Sequence, residues 1–282
     1  MPVSPLPRHI VTEAVTRALA EDQGGRGDIT SLACIPENQE EKFYFVARQA
    51  GVICGLEPAV EAVWQMDPDA LVNVQVRDGS DVKAGEVIAA VNGQARALLA
   101  AERIALNFLG RMSGIASLTR HYVEAVAGTG ARIAHTRKTT PGLRAFELQA
   151  VQAGGGALHR YGLDDAILIK DNHVAVCGGV RQAVEAAKAH AGHMTRVAVE
   201  VDRLDQLDDA IQAGAESVLL DNFSLDDLRV AVAQAGGKVT LEASGGVNLG
   251  TVRDIAQTGV DVISVGALTH SAPNFDIGLD EA

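Results

Sequence analysis

The sequence predicts an α/β protein that joins an N-terminal part with an antiparallel sheet to an α/β barrel. The 282 residues suit one such barrel with a small extra domain. Between residues 42 and 95, short β-prone runs are separated by turn residues, which is typical of an antiparallel sheet. From residue 131 onward, β-branched runs alternate with helical stretches, which is typical of a parallel sheet. With 47% apolar residues, the chain can bury a sizeable core.

The N-terminal part contains helical and β patterns in turn. Apolar residues at helical spacing predict a helix over 9–21, and the glycines and short polar residues of GGRGDITS (24–31) predict a loop. EPAVEAVWQM (57–66) predicts a short helix. The predicted strands are KFYFVAR (42–48), GVICG (51–55), LVNVQV (71–76) and GEVIAAVNG (85–93).

A long helical stretch follows these strands. Residues 97–127 carry apolar residues on most helical faces and few helix breakers, which predicts a buried connecting helix. Serine next to glycine disfavours a continuous helix, so we expect a break near Ser113–Gly114 and a second helix after it.

The rest of the chain alternates between β and α patterns. Its β runs are ARIAHT (131–136), DDAILIKD (164–171), TRVAVEVD (195–202), ESVLLDN (216–222), KVTLEASGG (238–246) and VDVISVGAL (260–268). The helical stretches between them are 141–155, 180–192, 204–214, 224–236 and 248–259. Repeated βα units whose helices mostly end in glycine favour a barrel. The alternative is a doubly wound sheet, but the first βα turn lacks the G-x-G-x-x-G pattern of a dinucleotide fold.

Charge and composition exclude several classes of function. The net charge of −12 argues against a nucleic-acid or anionic-membrane binder, because such proteins need a basic excess. The N-terminus has no apolar signal region, and no apolar run approaches the ~20 residues of a membrane span. Cys34, Cys54 and Cys177 are far apart and odd in number, so a disulfide framework and a zinc ribbon are not expected and a reducing cytoplasm fits best.

Polar residues stand where each apolar barrel strand ends, and in a parallel sheet these ends share one edge. The basic residues there would form an anion site, since arginine matches carboxylates and phosphates bidentately. Two acids at neighbouring ends could hold Mg²⁺ together with substrate phosphates. Glycine turns at the last two strands suit backbone binding of phosphate. The basic set is Arg137, Lys138, Lys170, His159 and Arg160, the acidic set Glu200 and Asp221, and the turns Ser244-Gly245-Gly246 and Gly266-Ala267.

Each of these residues has an ordinary explanation when taken singly. A basic strand end is often solvated, Arg103 could pair on its own helix, and His135 and His173 are expected as ordinary polar loop residues. No H-E-x-x-H or similar metal spacing occurs among the histidines, so a zinc enzyme is not expected. The joint occurrence at successive strand ends favours a pocket for a phosphorylated sugar, Mg²⁺ and a second small anion.

Nearly the whole chain resembles the quinolinate phosphoribosyltransferase family, with the motifs in the same order. TRKTTPGLR (136–144) and LIKDNH (168–173) are the most specific motifs. The other similar stretches are 27–31, 101–117, 154–156 with His159-Arg160, 162–163, 200–201, 221–223, 242–246 and 264–270.

The resemblance implies a fold, a reaction and an assembly. The fold is an N-terminal α/β sandwich domain with an antiparallel sheet (1–112) followed by an open, TIM-like α/β barrel (113–270), and the tail 271–282 is a candidate to pack on the first domain. The reaction is that of quinolinate with phosphoribosyl pyrophosphate and Mg²⁺, giving nicotinate mononucleotide, pyrophosphate and CO₂. The assembly is at least a homodimer, in which the N-terminal part of one subunit closes the barrel mouth of the other.

The resemblance also implies a role for each candidate residue. Arg103 would reach the partner's quinolinate. The two carboxylates would be held by Arg137, His159, Arg160 and Lys170, and Lys138 and Lys170 would meet the phosphates. Glu200 and Asp221 would serve the metal and the ribose. The phosphate end would be lined by Ser244, Gly245, Gly246, Gly266 and His270.

The chain departs from the family pattern near the expected carboxylate clamp. His135 precedes TRK where Asp or Cys is common, Leu158 replaces a usual Asn, and Leu148 and Gln152 stand where the helix usually carries positive charges. Three alternatives stay open. They are a related transferase for another ring acid of the kind encoded beside molybdate-transport genes, a Schiff-base aldolase using Lys170, and a non-catalytic phosphosugar-binding barrel.

Overall fold

The computed structural model describes residues 3–281. Met1, Pro2 and Ala282, which include the outer ends of the predicted domains, lie outside the described residues. The helices are α1 (Arg8–Gln23), α2 (Ile29–Cys34), α3 (Leu56–Met66), α4 (Ala95–Ala125), α5 (Arg144–Ala153), α6 (Asp171–Cys177), α7 (Val180–His190), α8 (Leu204–Gln212), α9 (Leu225–Ala235), α10 (Val252–Ala256) and α11 (Ala267–His270). The strands are β1 (Glu40–Ala47), β2 (Gly51–Val52), β3 (Leu71–Val74), β4 (Asp81–Val82), β5 (Val87–Gln94), β6 (Arg132–Ala134), β7 (Ile167–Ile169), β8 (Val197–Val201), β9 (Ser217–Asp221), β10 (Thr240–Ser244), β11 (Val262–Ser264) and β12 (Ile277–Glu281).

These elements form two compact units. The first unit contains the described residues up to Arg120, Thr140–Gly155 and those from Ser271 onward. The second contains His121–Thr139 and Gly156–His270. The domain bounds 1–112 and 113–270 stay a prediction.

The first unit is built on an antiparallel sheet, as predicted, with the strand order β12-β1-β5-β3. The predicted strands over 42–48, 71–76 and 85–93 and the helix over 57–66 are confirmed. Of the predicted strand over 51–55 only Gly51–Val52 form a strand, and it pairs with β4 outside this sheet. The sequence did not predict β12, which pairs antiparallel with β1 from Phe43↔Glu281 to Ala47↔Ile277. Its pairing depends on a contact more than 200 residues away along the chain, which local patterns cannot reveal.

The predicted loop over 24–31 is only partly correct. Its last residues begin α2, because the Oδ1 of Asp28 accepts hydrogen bonds from the backbone N–H groups of Thr30 and Ser31 at 3.0 and 3.1 Å. Such a cap satisfies the free donors at the start of a helix.

The predicted break near Ser113–Gly114 is wrong, since α4 runs through both residues. The Oγ of Ser113 accepts the N–H of Cys54 at 2.9 Å and donates to its carbonyl oxygen at 3.0 Å. A Cβ at Gly114 would overlap the carbonyl oxygen of Pro273. The two small residues therefore allow other chain segments to approach the helix closely, without interrupting it.

The second unit is a parallel sheet of 6 strands in the order β6-β11-β10-β9-β8-β7. Along the chain each strand from β7 to β10 is followed by its neighbour in the sheet, and the last strand, β11, pairs with the first, β6. This cyclic order is that of a barrel, whereas a doubly wound sheet reverses direction at its centre. Within the described residues no pairing joins β6 to β7, so the barrel is open between them, and besides its pairing with β11 the strand β6 makes only the isolated bridge Ala134↔Ala157.

The predicted barrel strands and the helices over 180–192, 204–214, 224–236 and 248–259 are confirmed, and two short helices, α6 and α11, were not predicted. The helix predicted over 141–155 forms as α5 but belongs to the first unit. The helix α6 follows β7 directly, and the ring nitrogen Nδ1 of His173 accepts the backbone N–H of Lys170 at 3.0 Å. The seven residues of this helix, DNHVAVC, are too few to show a helical apolar pattern. His173 therefore caps a helix, which corrects its expectation as a loop residue.

The described part of the chain contains no helix with the length and apolarity needed to span a membrane.

Candidate active site

A cavity of about 850 Å³ lies in the second unit at the carboxyl ends of the barrel strands. Parallel strands of a barrel all present these ends on one side, so residues far apart in sequence meet there. Every predicted site residue except Arg103 lines this cavity, namely Arg137, Lys138, His159, Arg160, Lys170, Glu200, Asp221, Ser244, Gly245, Gly246, Gly266 and His270.

Two arginines in the cavity carry positive charge that the surrounding protein does not fully compensate. Burial lowers the pKa of the Arg160 guanidinium, and the nearby charge of Arg137 lowers it further. The buried Nε atoms of Arg137 and Arg160 have no hydrogen-bond partner within residues 3–281. Arg160 is oriented by the hydrogen bond from its Nη1 to the carbonyl oxygen of Ala166 at 2.9 Å. A doubly charged anion bound in the cavity would offset the repulsion between the two guanidinium groups.

Lys138 and His270 approach one another across a glycine. A Cβ on Gly266 would lie 3.1 Å from Nε2 of His270 and 3.2 Å from Cδ of Lys138, which is tighter than an ordinary contact. The main chain of Lys138 is fixed by a hydrogen bond from Oγ1 of Thr269 to its carbonyl oxygen at 2.8 Å. The exposed ends of Lys138 and His270 therefore lie beside bare backbone, an arrangement that suits phosphate.

The turn after β10 depends on glycine. Gly245 and Gly246 have φ values of +98° and +60°, and a Cβ at Gly245 would overlap Oδ1 of Asn222. Asn222 also has a positive φ of 56°. Its backbone N–H donates to the carbonyl oxygen of Ser244 at 2.9 Å, and its Nδ2 donates to Oδ2 of Asp221 at 2.8 Å. This packing orients Asp221 and leaves the Gly245–Gly246 backbone open to the cavity.

The acids Glu200 and Asp221 lie at the ends of the neighbouring strands β8 and β9. Oε2 of Glu200 is 2.6 Å from Nζ of Lys170. The described residues contain no group of three or more metal-ligating side chains. Two carboxylates fit Mg²⁺, which usually binds one or two protein carboxylates and takes its other ligands from phosphates and water.

Buried groups below the strand ends were not predicted as site residues. His135 lies just after β6, outside any helix or strand as expected, but it is fully buried. Its Nε2 accepts the backbone N–H of His159 at 2.9 Å. Glu242 and Ser264 also line the cavity, and Oε1 of Glu242 and Oγ of Ser264 have no hydrogen-bond partner within the described chain. Each lies two residues before a predicted site residue, Ser244 or Gly266, and the period of two along a strand could have revealed them.

Four positions that the sequence analysis singled out do not line this cavity, namely Arg103, Leu148, Gln152 and Leu158. Arg103 is exposed on α4 in the first unit. Leu148, which is buried, and Gln152, which is half-buried, lie on α5, also in the first unit. Leu158 is 52% exposed in the second unit.

Two models of the same protein family match the two parts of the chain. Residues 28–113 match the family described as quinolinate phosphoribosyl transferase, N-terminal domain, and residues 115–280 match the C-terminal domain of the same family. The chain is 44% identical to a nicotinate-nucleotide pyrophosphorylase (carboxylating) of Mycobacterium leprae, with 95% of this chain and 96% of the relative covered. It is 41% identical to a probable nicotinate-nucleotide pyrophosphorylase (carboxylating) of Bacillus subtilis, with 91% and 88% covered.

A solved structure is similar over the full length. The nicotinate-nucleotide pyrophosphorylase from Francisella tularensis has a TM-score of 0.95 and 39% identity, with 100% of this chain and 99% of that chain covered. The family matches, the relatives and the similar structure all indicate one family. The chain belongs to the quinolinate phosphoribosyl transferase family.

Proposed function

We propose that this chain transfers the phosphoribosyl group of phosphoribosyl pyrophosphate to quinolinate with loss of CO₂, a step of NAD biosynthesis. The observation that carries the proposal is the pair Arg137 and Arg160, which both line the cavity and whose like charges repel, so that Arg137 lowers the pKa of Arg160. Quinolinate is a ring dianion, and two guanidinium groups match two carboxylates. The names of the relatives support the same reaction.

The reaction balances without a covalent enzyme intermediate. The pyridine nitrogen attacks C1 of the ribose while the bond from C1 to the pyrophosphate oxygen breaks and its electron pair leaves with pyrophosphate. The C2 carboxylate then departs as CO₂, its bonding pair remains on C2 beside the cationic ring nitrogen, and a proton from solvent completes nicotinate mononucleotide. Holding the dianion against C1 is mainly a positioning effect, which can lower a barrier by several kcal/mol.

The other side chains suit the charges that develop. Positive charge builds on the ribose, where Glu200 and Asp221 would stabilise it. Negative charge builds on the leaving pyrophosphate, where Lys138, Lys170, His270 and the glycine turns would stabilise it. The two carboxylates would also hold Mg²⁺, which when bound helps to neutralise the leaving group.

The assembly and location are part of the proposal. The exposed side chain of Arg103 has no ion pair or side-chain hydrogen bond within residues 3–281, which leaves it available to a second subunit. We therefore propose a homodimer with shared active sites, in which Arg103 meets the quinolinate of its partner subunit. The predicted cytoplasmic location rests on the sequence argument about cysteines.

The decisive assay uses purified protein with quinolinate, phosphoribosyl pyrophosphate and Mg²⁺. We expect equal amounts of nicotinate mononucleotide, pyrophosphate and CO₂, and a loss of turnover when EDTA removes Mg²⁺. Turnover of another ring acid with no turnover of quinolinate would contradict the substrate assignment. Binding of phosphoribosyl pyrophosphate without pyrophosphate release would favour the non-catalytic barrel.

The aldolase alternative receives a separate test. Nζ of Lys170 is held in an ion pair by Oε2 of Glu200 at 2.6 Å, whereas Schiff-base formation needs a free amine. We expect no covalent adduct at Lys170 after borohydride treatment with substrate, and a stable adduct detected by mass spectrometry would support the aldolase.

A further inference from the structure

Glu242 is a buried acid in the strand β10, at a position where an apolar residue would cost less free energy of folding. It lies in β10 between the buried residues Leu241 and Ala243 and is only 7% exposed. A buried carboxylate costs free energy unless it is paired or hydrogen-bonded. Its Oε2 lies 3.3 Å from Nε2 of His159. Because the barrel core does not need a charge here, the contact with His159 requires an explanation.

The hydrogen bonds around His159 determine the orientation of its ring. Nδ1 of His159 lies 2.8 Å from the backbone nitrogen of Arg160. A backbone N–H can only donate, so Nδ1 accepts and we assign the ring hydrogen to Nε2, which faces Glu242. The same reasoning applies to His135, whose Nε2 accepts the backbone N–H of His159 at 2.9 Å. Both nitrogens of the His159 ring are therefore directed at protein groups.

We propose that Glu242 is a positioning residue for substrate binding and acts through His159 on Arg160. The Glu242 carboxylate holds the Nε2–H side of the ring, and the ring holds the backbone N–H of Arg160. Arg160 is otherwise oriented by the hydrogen bond of its guanidinium to Ala166 at 2.9 Å. The inference rests on the proposed function, in which Arg160 binds a quinolinate carboxylate.

The proposal predicts an effect on one substrate only. Without the carboxylate, the His159 side chain, which is 20% exposed, has room to turn away from Arg160. The guanidinium of Arg160 would then be less well oriented for quinolinate. The phosphate end, formed by Lys138, Gly266 and the Gly245–Gly246 turn, does not depend on these contacts. A general loss of fold would instead weaken both substrates.

The test is a double-mutant cycle between Glu242→Leu and His159→Ala. Quinolinate affinity is measured by calorimetry, and KM is measured for both substrates. We expect Glu242→Leu to weaken quinolinate binding about tenfold, the factor that corresponds to one hydrogen bond, and to leave the KM for phosphoribosyl pyrophosphate within about twofold. In the His159→Ala background, Glu242→Leu should add nothing further. Glu242→Gln, whose amide oxygen can still accept the Nε2–H, should restore affinity.

Two controls separate positioning from stability. Glu216→Leu removes another glutamate whose carboxylate is hydrogen-bonded within the protein, because Oε2 of Glu216 accepts the backbone N–H of Val197 at 2.7 Å. Glu216 does not line the active-site cavity, and we expect its loss to leave quinolinate affinity unchanged. Thermal unfolding checks each variant. If Glu242→Leu does not fold, Glu242→Met, which is closer in shape, replaces it in the cycle.

The outcomes distinguish this inference from the proposed function. Additive effects of Glu242→Leu and His159→Ala, or an equal rise in both KM values, would overturn the positioning role while the enzyme remains a transferase. Wild-type quinolinate affinity in Glu242→Leu would also overturn it. A wild-type protein that neither binds quinolinate nor releases CO₂ from it would overturn the proposed function and this inference together.

Discussion

Replacing Gly245 by alanine tests whether the turn after β10 shapes the phosphate end of the cavity. Gly245 has a φ of +98°, and its added Cβ would overlap Oδ1 of Asn222. The left-handed conformation costs an alanine about 1–2 kcal/mol. If Asn222 moves away, its 2.8 Å hydrogen bond to Asp221 is lost, which costs about 1 kcal/mol more. We therefore expect a total destabilisation of about 2–3 kcal/mol.

Gly237 offers a matched control for the backbone penalty alone. It has a φ of +76°, and a Cβ there would meet nothing within 4 Å. Gly237→Ala should cost only the conformational term of about 1–2 kcal/mol and leave catalysis unchanged. Urea unfolding gives the two stability changes, and steady-state kinetics gives the KM for phosphoribosyl pyrophosphate. Equal stability losses and an unchanged KM in Gly245→Ala would refute the reasoning.

Three further predictions address charge and assembly. The pKa of Asp78 is raised from its ordinary 3.8 to about 6, mainly by burial. The free energy of unfolding should therefore fall by up to about 3 kcal/mol as the pH rises from about 4 to about 6. Asp78→Asn should remove this fall in urea unfolding, and an unchanged pH profile in the variant would contradict the prediction. Lys138→Ala should lower kcat about 10²–10³-fold without loss of stability, because Lys138 stabilises the leaving pyrophosphate. The control Lys238→Ala should keep full activity. A wild-type kcat in Lys138→Ala would exclude this role of Lys138. Arg103→Ala should regain activity when mixed with Lys138→Ala subunits, and no recovery in proven mixed dimers would argue against shared sites.

The sequence predicted the barrel strands well because each is a short β-branched run between glycine-ended helices. The register that brings Glu200 and Asp221 to adjacent strand ends follows from barrel order, so their proximity was also predictable. The helix α6 was not predicted, because its first turn depends on the His173 side chain accepting a backbone N–H. The strand β12 was not predicted, because it is defined by pairing with β1.

Local rules failed where tertiary packing decides the choice of residue. Gly114 suggested a helix break, but α4 continues through it, and its missing side chain leaves room for the carbonyl oxygen of Pro273. His135 resembled a loop residue, yet it is buried beneath His159. Glu242 was visible within a strand motif, but only its distance to His159 indicates what it does. A role for Arg103 requires a second subunit, which one sequence does not supply.

The most direct test of the central claim is a crystal structure with quinolinate and an unreactive analogue of phosphoribosyl pyrophosphate. The account predicts both ligands in the cavity at the carboxyl ends of the barrel strands. The two ring carboxylates should contact Arg137 and Arg160, and the phosphates should lie against Lys138 and the Gly245–Gly246 backbone. Quinolinate bound away from both arginines, or the phosphates bound outside this cavity, would contradict it.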